Sequence, residues 1–316
     1  VRNNTFIGNG DGVALVGGTE AALVAANTFG GNVGRAIYLL DASRNRIESN
    51  IVSGLTSDPT LGSDGGIALD ASPDNVIVGN TLSDPGDAGV ILAAGSHRTQ
   101  IEGNTIFRTS DSSIGVDGSE GVTVVGNTVH QAGGAAISFG DSPDGTITGN
   151  DARFNPTGVE LSGSDGVLVA DNDASFSQAD GIVVEGGLGI TLRDNTASST
   201  GGTGLAVEVD AFDTTGNPIP GNLIEGNVAN SNLANGIAVG GGGHRIGGNQ
   251  AFGNAAFGIT AGDGAIDDGG NSAAGNGEPV QCVNVVCGAG TGGPPPAPDL
   301  TAPDTQLLTT PTAGAS

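Results

Sequence analysis

The sequence predicts an all-β solenoid, and three observations carry that expectation. An asparagine returns at a near-constant period: Asn4, Asn27, Asn50, Asn80, Asn104, Asn127, Asn150, Asn172, Asn195, Asn227, Asn249 and Asn271. Nine of the eleven intervals are 22, 23 or 24 residues, and the other two are 30 and 32. Apolar residues keep fixed offsets from that asparagine, and no window sustains the 3.6-residue period of a helix. A repeat this short marks stacked supersecondary units rather than a single globular core. About eleven or twelve coils of 22–24 residues are expected.

Each coil reads as three short strands and three turns. The first strand precedes the asparagine, with an aliphatic three residues before it, as in Ile47, Ile77, Ile101, Val124 and Ile147; only Asp268, before Asn271, departs from this. The second follows, with an apolar residue at the second position: Phe6, Phe29, Val52, Leu82, Ile106 and Val129, then alanine from Ala152 to Ala273. The third is a small residue, an aliphatic, any residue and an aliphatic, as in Gly66-Ile67-Ala68-Leu69 and Gly181-Ile182-Val183-Val184. Period-2 alternation with Val and Ile suits a pleated strand with one buried face. A lone coil cannot bury its apolar side chains, but stacked coils can, with strands about 4.8 Å apart. The asparagine is expected to take the left-handed corner and to ladder its amide from coil to coil. Glycines such as Gly79, Gly103 and Gly126 ease the same corner. Phe154, Phe176 and Phe252 read as rings filling the volume the alanines vacate.

Composition narrows the function classes. The net charge is −25, with nine Arg and no Lys, so there is no basic stripe for nucleic acid. No segment is apolar for long enough to insert in a membrane. The acidity disfavours polyanionic glycans unless cations bridge. Cys282 and Cys287, the only cysteines, are expected to form a local disulfide in an oxidising compartment, with two reduced thiols as the alternative. The chain is expected to divide into a β-solenoid over 1–275, a C-terminal cap with the Cys pair over 276–288, a Gly/Pro linker over 289–303 and the start of an Ig-like module over 304–316. It reads as the central piece of a longer protein.

With Gly79-Asn80-Thr81, Gly103-Asn104-Thr105 and Gly126-Asn127-Thr128 each after an aliphatic, the repeat resembles the right-handed parallel β-helix over roughly residues 1–275. That superfamily includes pectate lyases, polygalacturonases, alginate epimerases, phage tailspikes and NosD-like periplasmic proteins. The resemblance implies the fold strongly and a function weakly, since one solenoid hosts many activities. The C-terminal cap resembles the ends of secreted actinobacterial β-helix proteins. The superfamily's catalytic patterns do not map onto this chain. Asp267-Asp268 falls in the degenerate last coil, Gly243-His244-Arg245 lacks the second glycine of Gly-His-Gly, and no Asp-Pro-His occurs. NosD-like copper handling would call for Met or clustered His, yet Met is absent and the three His lie on distant coils.

Candidate sites remain. In polysaccharide-acting β-helices the site lies on outward positions of one sheet. Here the outward column of the third strand is small or apolar except at Glu160, and the next column carries Glu185 and Glu208 on consecutive coils. Glu160, Glu185 and Glu208 could serve as an acid/base set for glycoside cleavage. Glu185, Glu208 and Asp210 could instead ligate calcium, a hard cation that suits carboxylate oxygens. Phe107, His130 and Arg153 fall at one outward position of successive coils and could hold a sugar ring or a carboxylate. The longer intervals add loops near Leu55–Asp64 and Asp210–Pro220, and Asp210 and Asp213 of the second are counted with the binding set. Each constellation also reads as a solvated polar stripe. The expectation is an extracellular, non-catalytic scaffold that meets a polysaccharide or cell-surface component. A polysaccharide-modifying enzyme and a calcium-stabilised adhesin are the rivals.

Overall fold

The computed structural model describes residues 1–56, 65–93, 95–209 and 221–289. The chain winds as a right-handed parallel β-helix, and every strand pairing is parallel and joins neighbouring coils. Sheet 1 has twelve strands from Val13–Val16 to Cys282–Val283 and is built from the Gly-aliphatic-x-aliphatic segments. Sheet 2 has eleven, from Leu23–Ala25 to Ile266–Gly269, and precedes the asparagines. Sheet 3 follows them. Its six strands run from Thr5–Ile7 to Thr128–His130, and three more from Gln250–Phe252 to Cys287–Gly288. Between these stretches it thins to single parallel bridges at Asp151, Asp173, Thr196 and Val228.

The inward apolar residues form one continuous core. Ile77, Ile101, Val124 and Ile147 from sheet 2, Phe29, Leu82 and Ile106 from sheet 3, and Ile67, Val90 and Ile137 from sheet 1 are all fully buried. Burying one such side chain contributes about 1.5–3 kcal/mol. The glycines that open the sheet 1 strands are needed because that corner packs tightly. A methyl on Gly181 would stand 2.6 Å from Ala197 Cβ and 2.7 Å from the Gly204 carbonyl oxygen.

The asparagine ladder forms as expected. Asn27 N–H and its side-chain NH₂ both donate to Asn50 Oδ1, each at 3.0 Å, and Asn50 Nδ2 donates back to the Val24 carbonyl at 2.9 Å. The arrangement repeats through Asn249 and Asn271. It satisfies polar groups that are almost fully buried, which left unpaired would cost about 1–3 kcal/mol each. The left-handed residue is the one before the asparagine: Gly79 (φ 60°), Gly126 (φ 63°), Asp171 (φ 56°) and Asp194 (φ 54°). The asparagine itself keeps negative φ because its amide must aim along the stack.

Two further ladders hold the other corners. Between sheets 1 and 2, Ser72, Ser96, Ser119, Ser142 and Ser164 each accept the backbone N–H of the preceding coil at 2.9–3.3 Å. Between sheets 3 and 1, Asn232, Asn254 and Asn276 do the same, five residues after the main asparagine. Cys282 and Cys287 are joined in a disulfide that links the last strands of sheets 1 and 3, with Val285 buried beneath. The expected linker and Ig-like segment lie outside the described residues from 290 onward.

Candidate functional site

Sheet 3 brings the first candidate set together. Phe107 and His130 are register partners on adjacent strands, and Arg153 occupies the same position one coil on. Two carboxylates that sequence reasoning missed hold the set. Asp151 accepts both Arg153 Nε at 2.8 Å and Arg153 Nη2 at 2.7 Å, in the forked geometry a guanidinium favours. Asp173, one coil further, stands 3.7 Å from the same guanidinium. His130 is buried, and its Nε2 lies 3.0 Å from Asp151 Oδ1 in a bent contact rather than a straight hydrogen bond. Partial burial pushes the Asp151 carboxyl up. The Arg153 hydrogen bonds, together with the close contact and charge of His130, outweigh it and hold that carboxyl well below the usual carboxylate range. A signal for these acids was present: the position after the main asparagine is threonine in six of twelve coils and aspartate only at 151 and 173.

Aromatic rings continue the network. The His130 imidazole meets Phe154 edge-on at 5.8 Å, and Phe154 stacks on Phe176 with centroids 5.0 Å apart and planes 10° or less from parallel, at 9°. Phe154 and Phe176 are half-buried and stand outside the core, so they do not fill space beside the alanines as the sequence implied. Phe252 is buried at the end of the strand Gln250–Phe252, one residue before the corner position that Phe154 and Phe176 hold, and also stands apart from the main core. The reason is the backbone. Phe154 (φ 61°) and Phe176 (φ 60°) are left-handed, as are Arg108 (φ 58°) and Gln131 (φ 60°) on the two coils before them. Gly31, Gly54, Gly253 and Gly275 hold this same corner elsewhere. A left-handed corner turns its side chain away from the interior. Arg108, bridged to Asp84 at 2.7 and 2.6 Å, also lines an open groove of about 350 Å³ with Leu55, Thr109, Ser110 and Gln131.

Sheet 1 carries the second set. Glu160 is half-buried in the outward column between Ser138 and Val183, and Glu185 pairs in register with Ser162 beside it. Glu208 N–H donates to the Val184 carbonyl, which places Glu208 next to Glu185 on the following coil. Burial, then the charges of Glu185 and Asp111, raise the Glu160 carboxyl above its ordinary value. Glu185 and Glu208 are exposed. Asp210 and Asp213 lie outside the described residues, as do 57–64 of the first loop. Among the described residues no group of three or more His, Cys, Asp or Glu is placed to hold a metal ion. The arginines are mostly locked between coils: Arg35 to Asp11, Arg44 to Glu20, Arg98 to Asp74 and Arg245 to Asp268.

Comparison with known proteins agrees with this architecture. The family described as "Right handed beta helix region" matches residues 112–276, and the periplasmic copper-binding protein family NosD matches residues 1–110. No curated protein is similar to the chain in sequence. Among solved structures, a mutant of the periplasmic alginate epimerase AlgG superposes with a TM-score of 0.59 at 13% identity, covering 87% of this chain and 78% of that one. The Dettilon tailspike protein superposes with a TM-score of 0.50 at 14% identity, covering 90% of this chain. The chain spans 61% of the tailspike's own length. At these identities the likeness shows the fold alone. With the first family matched over more than half of its length, this chain belongs to the right-handed β-helix family.

Proposed function

We propose that this chain is a non-catalytic glycan-binding scaffold of the extracellular or periplasmic space, and that it engages glycan on the sheet 3 face at Phe107, His130 and Arg153. One observation carries the reading. On successive coils, Phe107, His130 and Arg153 stand in one column, with Arg153 forked onto Asp151 and the buried His130 beside that carboxylate, so the polar end of the column is held rather than loose in solvent. A solenoid repeats such groups about every 4.8 Å, which suits a polymer lying along its axis. The disulfide fits an oxidising compartment, and no helix among the described residues is long and apolar enough to cross a membrane. The structural neighbours are named as an alginate epimerase and a tailspike, and the first acts on a polysaccharide.

Glu160 supports a second reading. A half-buried carboxyl whose pKa is raised by burial and by Glu185, beside exposed Glu185 and Glu208, suits the acid half of a glycosidase pair. The calcium-stabilised adhesin rests on Glu185, Glu208 and Asp210 and would show as a melting temperature that rises with calcium.

The test is retention of the whole chain on immobilised neutral and acidic polysaccharides, with and without calcium, followed by sizing of the polymer. Retention without a change in chain length, lost in Arg153→Ala, is the expected result. Shortened chains that persist in Arg153→Ala and vanish in Glu160→Gln would make the protein an enzyme instead.

A further inference from the structure

The left-handed corner between sheets 3 and 1 carries a feature that the sheet 3 column does not account for. On most coils this corner is held by glycine, serine or aspartate, yet Phe154 and Phe176 occupy it on consecutive coils at φ 61° and 60°. A left-handed conformation costs a non-glycine residue about 1–2 kcal/mol, and a bulky residue there is uncommon. Neither ring returns that cost through the core, because both are half-buried and outside it. Backbone strain of this kind is retained where a side chain is needed in one direction.

The stack stops abruptly. Phe176 N–H donates to the Ser198 carbonyl at 3.0 Å, and Ser199 N–H to the Asn230 carbonyl at 2.8 Å, so Ser199 and then Ser231 follow Phe176 at the corner. Phe154 covers one face of the Phe176 ring, and on the side of the other face the corner is held by serine on the next two coils. Leu233, 72% exposed, projects from the coil of Ser231. One coil of rise is about 4.8 Å, so the step over Ser199 is a slot one flat ring thick.

We propose that this slot is a subsite for a pyranose ring of a neutral glycan, stacked on the free face of Phe176 above Ser199. The inference rests on the glycan-binding reading and adds to it a place and a ligand class. The C–H face of a sugar ring packs on an aromatic ring, and its hydroxyls find acceptors and donors in the side chains of Ser199, Ser231 and Asp173. The charge decides against an anionic sugar. Asp173 stands on the coil of Phe176, the chain carries −25, and Arg153, one coil above, is already forked onto Asp151.

The experiment is calorimetric titration of the full chain with three neutral probes (cellohexaose, xylohexaose and mannohexaose) and one anionic probe, a mannuronate hexamer, beside the Phe176→Asn and Arg153→Ala variants. Asn tolerates the left-handed corner, so the fold survives, with Tm shifted by less than about 4 °C. The expected result is that at least one neutral probe binds the natural chain, the anionic probe does not, and Phe176→Asn weakens the neutral probe tenfold or more. Unchanged affinity in Phe176→Asn, with loss in Arg153→Ala, would overturn the subsite and leave glycan binding on sheet 3 standing. A preference for the mannuronate hexamer would overturn the ligand class. Absence of binding to all four probes would overturn both the subsite and the reading beneath it.

Discussion

The first six coils and the later ones solve the same stacking problem with different chemistry. In the first half, sheet 3 has three-residue strands whose inward positions carry Phe29, Val52, Leu82, Ile106 and Val129, all fully buried. From Ala152 onward the inward side chain is a methyl, sheet 3 thins to single bridges as far as the strand Gln250–Phe252, and every coil carries Asn, Ser or Thr five residues after the main asparagine. Asn232 Nδ2 donates to the Ala197 carbonyl and Asn254 Nδ2 to that of Ala229, reaching inward where the first half places apolar atoms. At the corresponding position the first two coils also carry asparagine, Asn9 donating its N–H to Asn32 Oδ1 at 2.9 Å, and the next four carry Leu55, Pro85, Thr109 and Ala132. Bulk thus replaces the amide between Leu55 and Ala132 only, since Asn32 is fully buried at this corner on the coil of the buried Phe29 ring. The network of His130, Asp151, Arg153 and the Phe154–Phe176 stack sits on the seam between the two halves.

The largest effect that would test this contrast is in the first half. Leu82→Ala is expected to cost about 2–5 kcal/mol by urea unfolding, against about 0.5–1 kcal/mol for Ala174→Gly at the equivalent position. Equal losses would break the comparison. Next comes the amide ladder. Asn232→Ala strips partners from Thr200 N–H, which donates to Asn232 Oδ1 at 2.9 Å, and from the Ala197 carbonyl. A loss of about 1–3 kcal/mol for each buried group is expected, with the fastest new amide exchange around coils 195–254. The matching first-half change, Thr109→Ala, should cost less than Asn232→Ala, because its hydroxyl bonds locally to the Asp111 carbonyl and Ser113 and bridges no coils.

Acid probes the seam. The folded-state pKa of Asp151 is depressed, so its contribution is fully present above the unfolded value of about 3.9. It is lost as pH falls through the lower folded value. Tm is expected to fall below about pH 4, and Asp151→Asn to flatten that fall while lowering Tm at pH 7. The smallest effect is at Glu160, where the sign reverses. Its carboxyl is raised by burial and by Glu185 and Asp111, so the folded state holds the proton more tightly and ionisation opposes folding at neutral pH. Glu160→Gln is expected to stabilise by on the order of 0.5 kcal/mol near pH 7, and no gain would mean that solvent already screens the charge.

Period, apolar offsets and the main ladder were legible because each is a local rule repeated in every coil: Ile77, Asn80 and Leu82 predict Ile101, Asn104 and Ile106. The column from Ala14 through Glu160 to Thr260 also followed from counting, and the strand register places it as expected. Repetition makes errors of exception. Asp151 and Asp173 interrupt a threonine column, and the second ladder is hard to see because its five-residue offset from the main asparagine holds Asn9 and Asn32 but then Leu55, Pro85, Thr109 and Ala132 before asparagine returns at Asn155.

By itself the sequence determined the number and height of the coils, the inward faces, the polar spine and the proximity of Cys282 to Cys287. All of these depend on spacing along the chain and on the 4.8 Å rise that any parallel stack imposes. Only the tertiary structure decided which corner residue turns left-handed, that the residue before the asparagine takes it, and that Phe154 and Phe176 therefore face out rather than in. Side-chain direction at a corner depends on the φ that closure of the whole coil demands, and that constraint is set by the coils above and below, not by neighbours in sequence.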